Sequence, residues 1–182
     1  MNIWHDLDGE KVKPEKFTAV IEISKGSKQK YELDKETGML RLDRTLYTST
    51  HYPASYGFIP KTLSDDGDPL DVLVLCQEPI LPMTLVDCYP IGVMKMLDGT
   101  NVDEKIIAIP FDDPSMNVYR DISDLPEHTF NEIKHFFEVY KALELKFTQV
   151  DKVQGRARAE ETIQNCMYLY QKTFELTTNS EQ

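Results

Sequence analysis

Apolar and polar positions fall into two regimes along the chain. Strand-like runs occupy its first two thirds, and helical periodicity takes over near the end. Phe17-Thr18-Ala19-Val20-Ile21-Glu22-Ile23 is rich in β-branched residues, and Lys30-Tyr31-Glu32-Leu33 alternates. With Lys25-Gly26-Ser27 as the turn, the pair predicts a β-hairpin. A second turn, Asp34 to Gly38, leads into a strand from Met39 to Arg44. Val72 to Cys76 is apolar at every position, as expected of a strand buried on both faces. Thr84 to Met96 holds further strand material, broken at Pro90-Ile91-Gly92, and Ile106 to Ile109 is a second fully apolar strand.

From Ser115 to Asp124 the chain reads as connecting loop. Pro126 then opens a helix, since proline suits a first turn. Phe130, Ile133, Phe137 and Tyr140 share one face of it. A second helix runs from Ala157 to Phe174, with Ala159, Ile163, Cys166 and Tyr170 inward and Gly155 in the loop before it. The polar tail from Thr177 to Gln182 reads as a frayed end. Repeats, linkers and low-complexity segments are absent, so residues 1–182 are expected to form one domain with a sizeable core. Many short strands followed by two helices give an α+β class.

Charge narrows the function. The formal net charge of -11 opposes a nucleic-acid or anionic-membrane partner, because both require a basic face. An acidic protein with an anionic substrate must concentrate positive charge locally. No apolar run reaches the roughly 18 residues of a spanning helix. Met1-Asn2-Ile3-Trp4-His5-Asp6 lacks the basic start and apolar body of a signal peptide, and the expected location is the cytoplasm. Cys76, Cys88 and Cys166 are widely spaced in apolar surroundings and read as buried, reduced thiols.

The most informative stretch is Ser64-Asp65-Asp66-Gly67-Asp68-Pro69-Leu70-Asp71, four carboxylates in a short turn that runs straight into an apolar strand. Two ionised carboxylates about 5 Å apart repel by roughly 3 kcal/mol at an effective dielectric of about 20. Pro69 fixes its own φ and Gly67 permits a tight bend, so the turn holds its acids together, and held acids imply a cation. Oxygen-only donors suit Mg²⁺, Mn²⁺ or Ca²⁺. The calcium-loop spacing fails, because counting from Asp66 the sixth position is Asp71 and the twelfth is Gln77. A two-metal phosphoryl-transfer site fits better, since it needs several shared carboxylates. Asp98-Gly99-Thr100-Asn101-Val102-Asp103-Glu104-Lys105 repeats the pattern of an acidic turn before an apolar strand.

The spaced motif Asp66-Gly67-Asp68-Pro69-Leu70-Asp71-Val72 resembles the signature of the soluble family I inorganic pyrophosphatases, in their compact prokaryotic form. The resemblance extends from roughly Phe17 through Leu143. Glu22, Lys30 and Glu32 match the acid and the Lys-x-Glu pair of that family's early strands, and Arg44 matches its phosphate-binding arginine. Tyr52 and Tyr56 match the tyrosines of a Tyr-Pro-x-x-Tyr-Gly stretch. Asp98, Asp103 and Lys105 match the second acidic turn, and Tyr140 with Lys141 matches a Tyr-Lys pair on the helix. Two departures stand out: Gly99 where the family often has an acid, and Ser55 where it frequently has an amide.

The resemblance implies a highly twisted five-stranded barrel of the oligonucleotide-binding (OB) type, with additional strands and two main helices. It also implies Mg²⁺-dependent hydrolysis of inorganic pyrophosphate, several Mg²⁺ ions per site with Mn²⁺ as a substitute, and a homo-oligomer, expected to be a hexamer. In this scheme Asp66, Asp71 and Asp103 hold a first Mg²⁺, Asp71 is shared with a second, and Asp68 is general base toward a water between them. Asp98, Asp103 and Glu32 serve ions that arrive with substrate. Lys30, Arg44, Lys141, Tyr52 and Tyr140 grip phosphate oxygens, while Glu22, Tyr56 and Lys105 support. Two competing functions are an OB-type module for single-stranded nucleic acid and a structural calcium-binding protein. The acidic turns oppose the first, and the second leaves Lys30, Arg44 and Lys141 without a role.

Overall fold

The computed structural model describes residues 2–176, so the tail read as frayed lies outside the described residues. A short helix α1 (Ile3–Asp6) precedes strands β1 (Val12–Lys13), β2 (Lys16–Ile23), β3 (Gln29–Leu33), β4 (Leu40–Thr45), β5 (Ser55–Ile59), β6 (Leu70–Val74), β7 (Leu85–Asp98) and β8 (Asn101–Pro110). Helix α2 (Glu127–Val139), strand β9 (Thr148–Gly155) and helix α3 (Arg156–Tyr170) complete the order, and Gln171–Glu175 continue α3 as a wider turn.

Five strands close on themselves. β2 pairs antiparallel with both β5 and β7, β5 with β6, and β7 with β8, while β6 and β8 run parallel and complete the ring. This is the five-stranded closure that the resemblance implied, with β1 and β9 added at its margins. Closure removes sheet edges from the ring. It needs a close approach of β5 to β2, and Gly57 supplies it: a Cβ there would stand 1.8 Å from the Val20 carbonyl oxygen.

The uninterrupted apolar runs follow from burial on two faces. Val72, Val74, Ile106 and Ala108 pack with Ala159 and Ile163 of α3. Their neighbours Leu73, Ile107 and Ile109 pack with Ile133, Phe136 and Phe137 of α2. Of the expected inward face of α2, Phe130 is only half-buried, and Phe136 takes a core position instead.

Several local expectations are corrected. The hairpin predicted from residues 17–23 and 30–33 does not form, because β3 pairs with β4 in a separate two-stranded sheet and β2 finds distant partners. The second acidic turn is a tight β7–β8 hairpin in which Asp98 pairs with Asn101, so Asp103 and Lys105 sit on a strand. The break at Pro90-Ile91-Gly92 is a register shift inside one long strand. Tyr56 lies on β5, and Gly155, expected in a loop, ends β9, a strand the pattern did not reveal. The three thiols are free, with Cys88 buried and Cys76 and Cys166 half-buried. Among the described residues no helix is long and apolar enough to cross a membrane.

Candidate active site

Strand ends and turns from most of the fold open on one cavity of about 450 Å³. Glu22 comes from the end of β2, Lys30 and Glu32 from β3, and Tyr56 from β5. Asp66 and Asp68 come from the turn before β6, and Asp71 from β6 itself. Asp98 ends β7, Asp103 and Lys105 lie on β8, and Tyr140 and Lys141 follow α2. Among the described residues, seven carboxyl groups and four lysines thus line a single space.

Its floor is a buried ammonium. The parallel register sets Asp71 beside Lys105. The Lys105 Nζ donates to Asp71 Oδ2 at 2.7 Å, to Tyr56 Oη at 2.8 Å and to Asp103 Oδ2 at 2.9 Å, which uses its three protons. The Tyr56 hydroxyl in turn donates to Asp71. Burial alone would strip the Lys105 proton, but the Asp103 and Asp71 carboxylates reverse this and hold its pKa well above the ordinary value. Burial pushes the Asp103 carboxyl up, against the pull of Lys105 and with the help of the Asp71 charge. Asp66 is raised for the same first reason, although its Oδ1 accepts the Asp68 N–H at 3.0 Å. Burial dominates at Glu22 as well, whose pKa is pushed up to about 8.

Lysines alternate with the remaining acids. Lys30 pairs with Glu32 and reaches Asp43 at 3.3 Å, and Lys141 pairs with Asp98. Among the described residues no three His, Cys, Asp or Glu side chains stand close enough together to form a ready metal cage. The donor set still fits a hard divalent cation, because it is all oxygen and lines one cavity. Mg²⁺ keeps most of its waters and needs only one or two carboxylates together with substrate phosphate.

Two expected phosphate ligands do not line the cavity. Arg44 faces Lys30 across the β3–β4 ladder, with its guanidinium between Asp43 and Glu144 and its Nη2 buried without a hydrogen-bond partner among the described residues. Tyr52 is buried behind the wall, its ring 5.4 Å from Tyr56 and 4.8 Å from Phe136.

The inorganic pyrophosphatase family model matches residues 19–171 of this sequence. The chain belongs to the inorganic pyrophosphatase family. It is 50% identical over 171 residues to soluble inorganic pyrophosphatase 2 of Chlamydomonas reinhardtii, covering 94% of this chain and 89% of that one. Its fold matches the inorganic pyrophosphatase of Thermus thermophilus with a TM-score of 0.90 at 41% identity, over 94% of this chain and 99% of the other. The Helicobacter pylori inorganic pyrophosphatase matches with a TM-score of 0.87 at 43% identity, over 92% and 99%.

Against that family pattern the two departures have local explanations. Gly99 occupies the hairpin turn with φ at +63°, a backbone that glycine adopts without strain. Its N–H donates to the Phe147 carbonyl at 2.9 Å and ties the turn to the segment before β9. Ser55 is fully buried, and its hydroxyl accepts the N–H groups of Lys25 and Ile80 at 3.3 and 3.2 Å. It fastens two loops together and does not line the cavity. Lys35, outside the expected site residues, also lines the cavity and pairs with Asp68. Its setting, Asp34-Lys35-Glu36-Thr37-Gly38, signals only a turn.

Proposed function

We propose that this chain hydrolyses inorganic pyrophosphate to two orthophosphates with Mg²⁺ as its metal, Mn²⁺ serving as a substitute. The observation that carries the reading is the meeting of seven carboxyl groups and four lysines in one cavity, in a chain of this family. Pyrophosphate carries several negative charges that repel an incoming hydroxide. Bound divalent cations supply charge neutralisation and a more acidic water. Asp66, Asp71 and Asp103 would hold a first ion, and Asp71 would also serve a second. Asp98, Asp103 and Glu32 would take those that accompany substrate.

The chain's own groups do the rest. Asp68, at the mouth of the turn, accepts the proton of the attacking water as general base. Lys30, Lys141 and the Tyr140 hydroxyl orient phosphate oxygens. Arg44 Nη2, buried and unpartnered beside Lys30, is a donor left over for one of them. Tyr52 supports from behind through Tyr56 and Phe136. Lys105 and Tyr56 keep Asp71 and Asp103 oriented, and Glu22 braces the Leu33 backbone N–H at 2.7 Å. The same reading makes the protein a single-domain, cytoplasmic homo-oligomer, with a hexamer as the family expectation.

The test is phosphate release from pyrophosphate with Mg²⁺, with excess chelator, and with Asp68→Asn. Metal-dependent release is expected from the wild type. Asp68→Asn is expected to lose at least about 100-fold in turnover, the usual contribution of a general base, while binding Mg²⁺ nearly as well. Equal loss of metal binding and turnover would make Asp68 a ligand. A folded wild type that releases no phosphate with Mg²⁺ or Mn²⁺ rejects the reading.

A further inference from the structure

One cation of the cavity has no part in this scheme. Lys35 stands at the turn between β3 and β4, and its ammonium pairs with Asp68 while lying 5.2 Å from the centroid of the Trp4 ring. Both partners of that contact are fixed. Trp4 is 4% exposed, and its indole N–H donates to the Thr62 carbonyl at 2.8 Å. The Asn2 amide donates to the Lys35 carbonyl at 2.9 Å, so the N-terminal segment holds the lysine's own backbone. Within the turn, Asp34 accepts the Thr37 N–H at 2.9 Å and pairs with Arg41. An ordinary surface ion pair has no such support.

The arrangement repeats that of the other cavity lysines. Lys30 rests on Glu32, Lys141 on Asp98, and Lys105 on Asp71 and Asp103, each beside an acid assigned to a metal. Lys30 and Lys141, the two of these assigned to phosphate, each rest on a carboxylate of the cavity wall. Lys35 rests on Asp68 in the same way with its side chain partly exposed, so that its ammonium can turn from the carboxylate to an anion entering the cavity. We propose that Lys35 is a substrate-binding residue that leaves Asp68 and the face of Trp4 to grip a phosphate group of pyrophosphate. The proposal rests on the pyrophosphatase reading and adds a residue to it. Because the sequence contains one tryptophan, Trp4, its emission reports the lysine's departure directly.

The experiment uses the Mg²⁺-loaded protein, with Lys35→Met and Lys35→Arg as variants and orthophosphate as the binding probe. Lys35→Met keeps the stem and removes the charge, and the side chain is 46% exposed, so the fold is expected to persist. The expected result is a KM for pyrophosphate raised about tenfold, the loss of one charge-assisted phosphate contact, with kcat changed by less than about threefold. Lys35→Arg restores KM, which a purely structural lysine would not require. Orthophosphate shifts Trp4 emission in the wild type and not in Lys35→Met. An unchanged KM in Lys35→Met, or an undiminished emission shift, overturns the proposal while leaving pyrophosphate hydrolysis standing. An inactive wild type rejects the underlying reading and this inference with it.

Discussion

Glu22 enters the cavity from the buried end of β2 with a carboxylate whose charge is poorly served. The Leu33 N–H favours the ion, but burial outweighs it and the Asp71 and Glu32 charges add to the effect, taking the pKa from 4.5 to about 8. Between those values the folded metal-free protein holds a proton that the unfolded chain releases. The associated stability is therefore fully present below the lower value and lost as pH rises to the upper one, at on the order of 1 kcal/mol per pH unit. Glu22→Gln is expected to flatten the pH dependence of the urea midpoint between pH 5 and 8 in chelator; equal slopes for the two proteins would mean that Glu22 is charged in the fold. Arg44 sets a different question, because its planar fork is held by Asp43 and Glu144 while Nη2 has no hydrogen-bond partner among the described residues. Arg44→Lys keeps the charge and loses the fork, so KM for pyrophosphate is expected to rise about tenfold. Unchanged kinetics would remove Arg44 from the phosphate grip.

Ring closure depends on β5 approaching β2 closely, and Gly57 is the residue that allows it. A methyl group there meets the Val20 backbone carbonyl at 1.8 Å, and neither strand can retreat without breaking the pairing on its far side. Gly57→Ala is expected to destabilise by more than about 3 kcal/mol, beyond the usual overpacking range because the obstacle is backbone. A urea midpoint within error of the wild type would refute the close approach. The glycine was visible in the Tyr-Pro-x-x-Tyr-Gly stretch, but its task was not, because that task is defined by a strand far away in sequence. The same limit explains the failed hairpin: β2 is a strand by local pattern, yet its partners β5 and β7 are chosen by long-range packing. β9 escaped for a local reason. The register shift opposite Lys95 and Met96 leaves Asp151 unpaired, so Val150 and Val153 fall three apart and the alternation breaks. The strands and helices that were legible carry either unbroken alternation, double-sided burial or a clean helical face. The acids, lysines and Tyr56 were legible because a spaced motif carries them. Lys35 was not, since nothing in its turn reveals an Asp68 that lies 33 residues on.

The charge of the chain as a whole points back to its cavity. Lys and Arg number 20 against 31 Asp and Glu, and the cavity alone sets seven carboxyl groups against four lysines. Like charges held at short range oppose the folded state, and they do so most where burial weakens solvent screening, as at Asp103 and Asp66. A cation that binds this cluster in the folded chain and not in the unfolded one must therefore raise stability by mass action. At about 100 times its dissociation constant the gain is about 2.7 kcal/mol. For a chain of this size each kcal/mol moves Tm by about 2–4 °C, so Mg²⁺ is expected to raise Tm by about 5–10 °C. Sodium chloride at equal ionic strength screens surface repulsion equally and provides the reference. Asp103→Asn removes a carboxylate that already contacts Lys105 and is expected to lose most of the Mg²⁺-specific shift. A saturable rise with Mg²⁺ that exceeds the sodium reference and shrinks in Asp103→Asn locates the ion in this cavity. Equal shifts with the two salts would mean that general screening is the whole effect, and the acids would then need another cation.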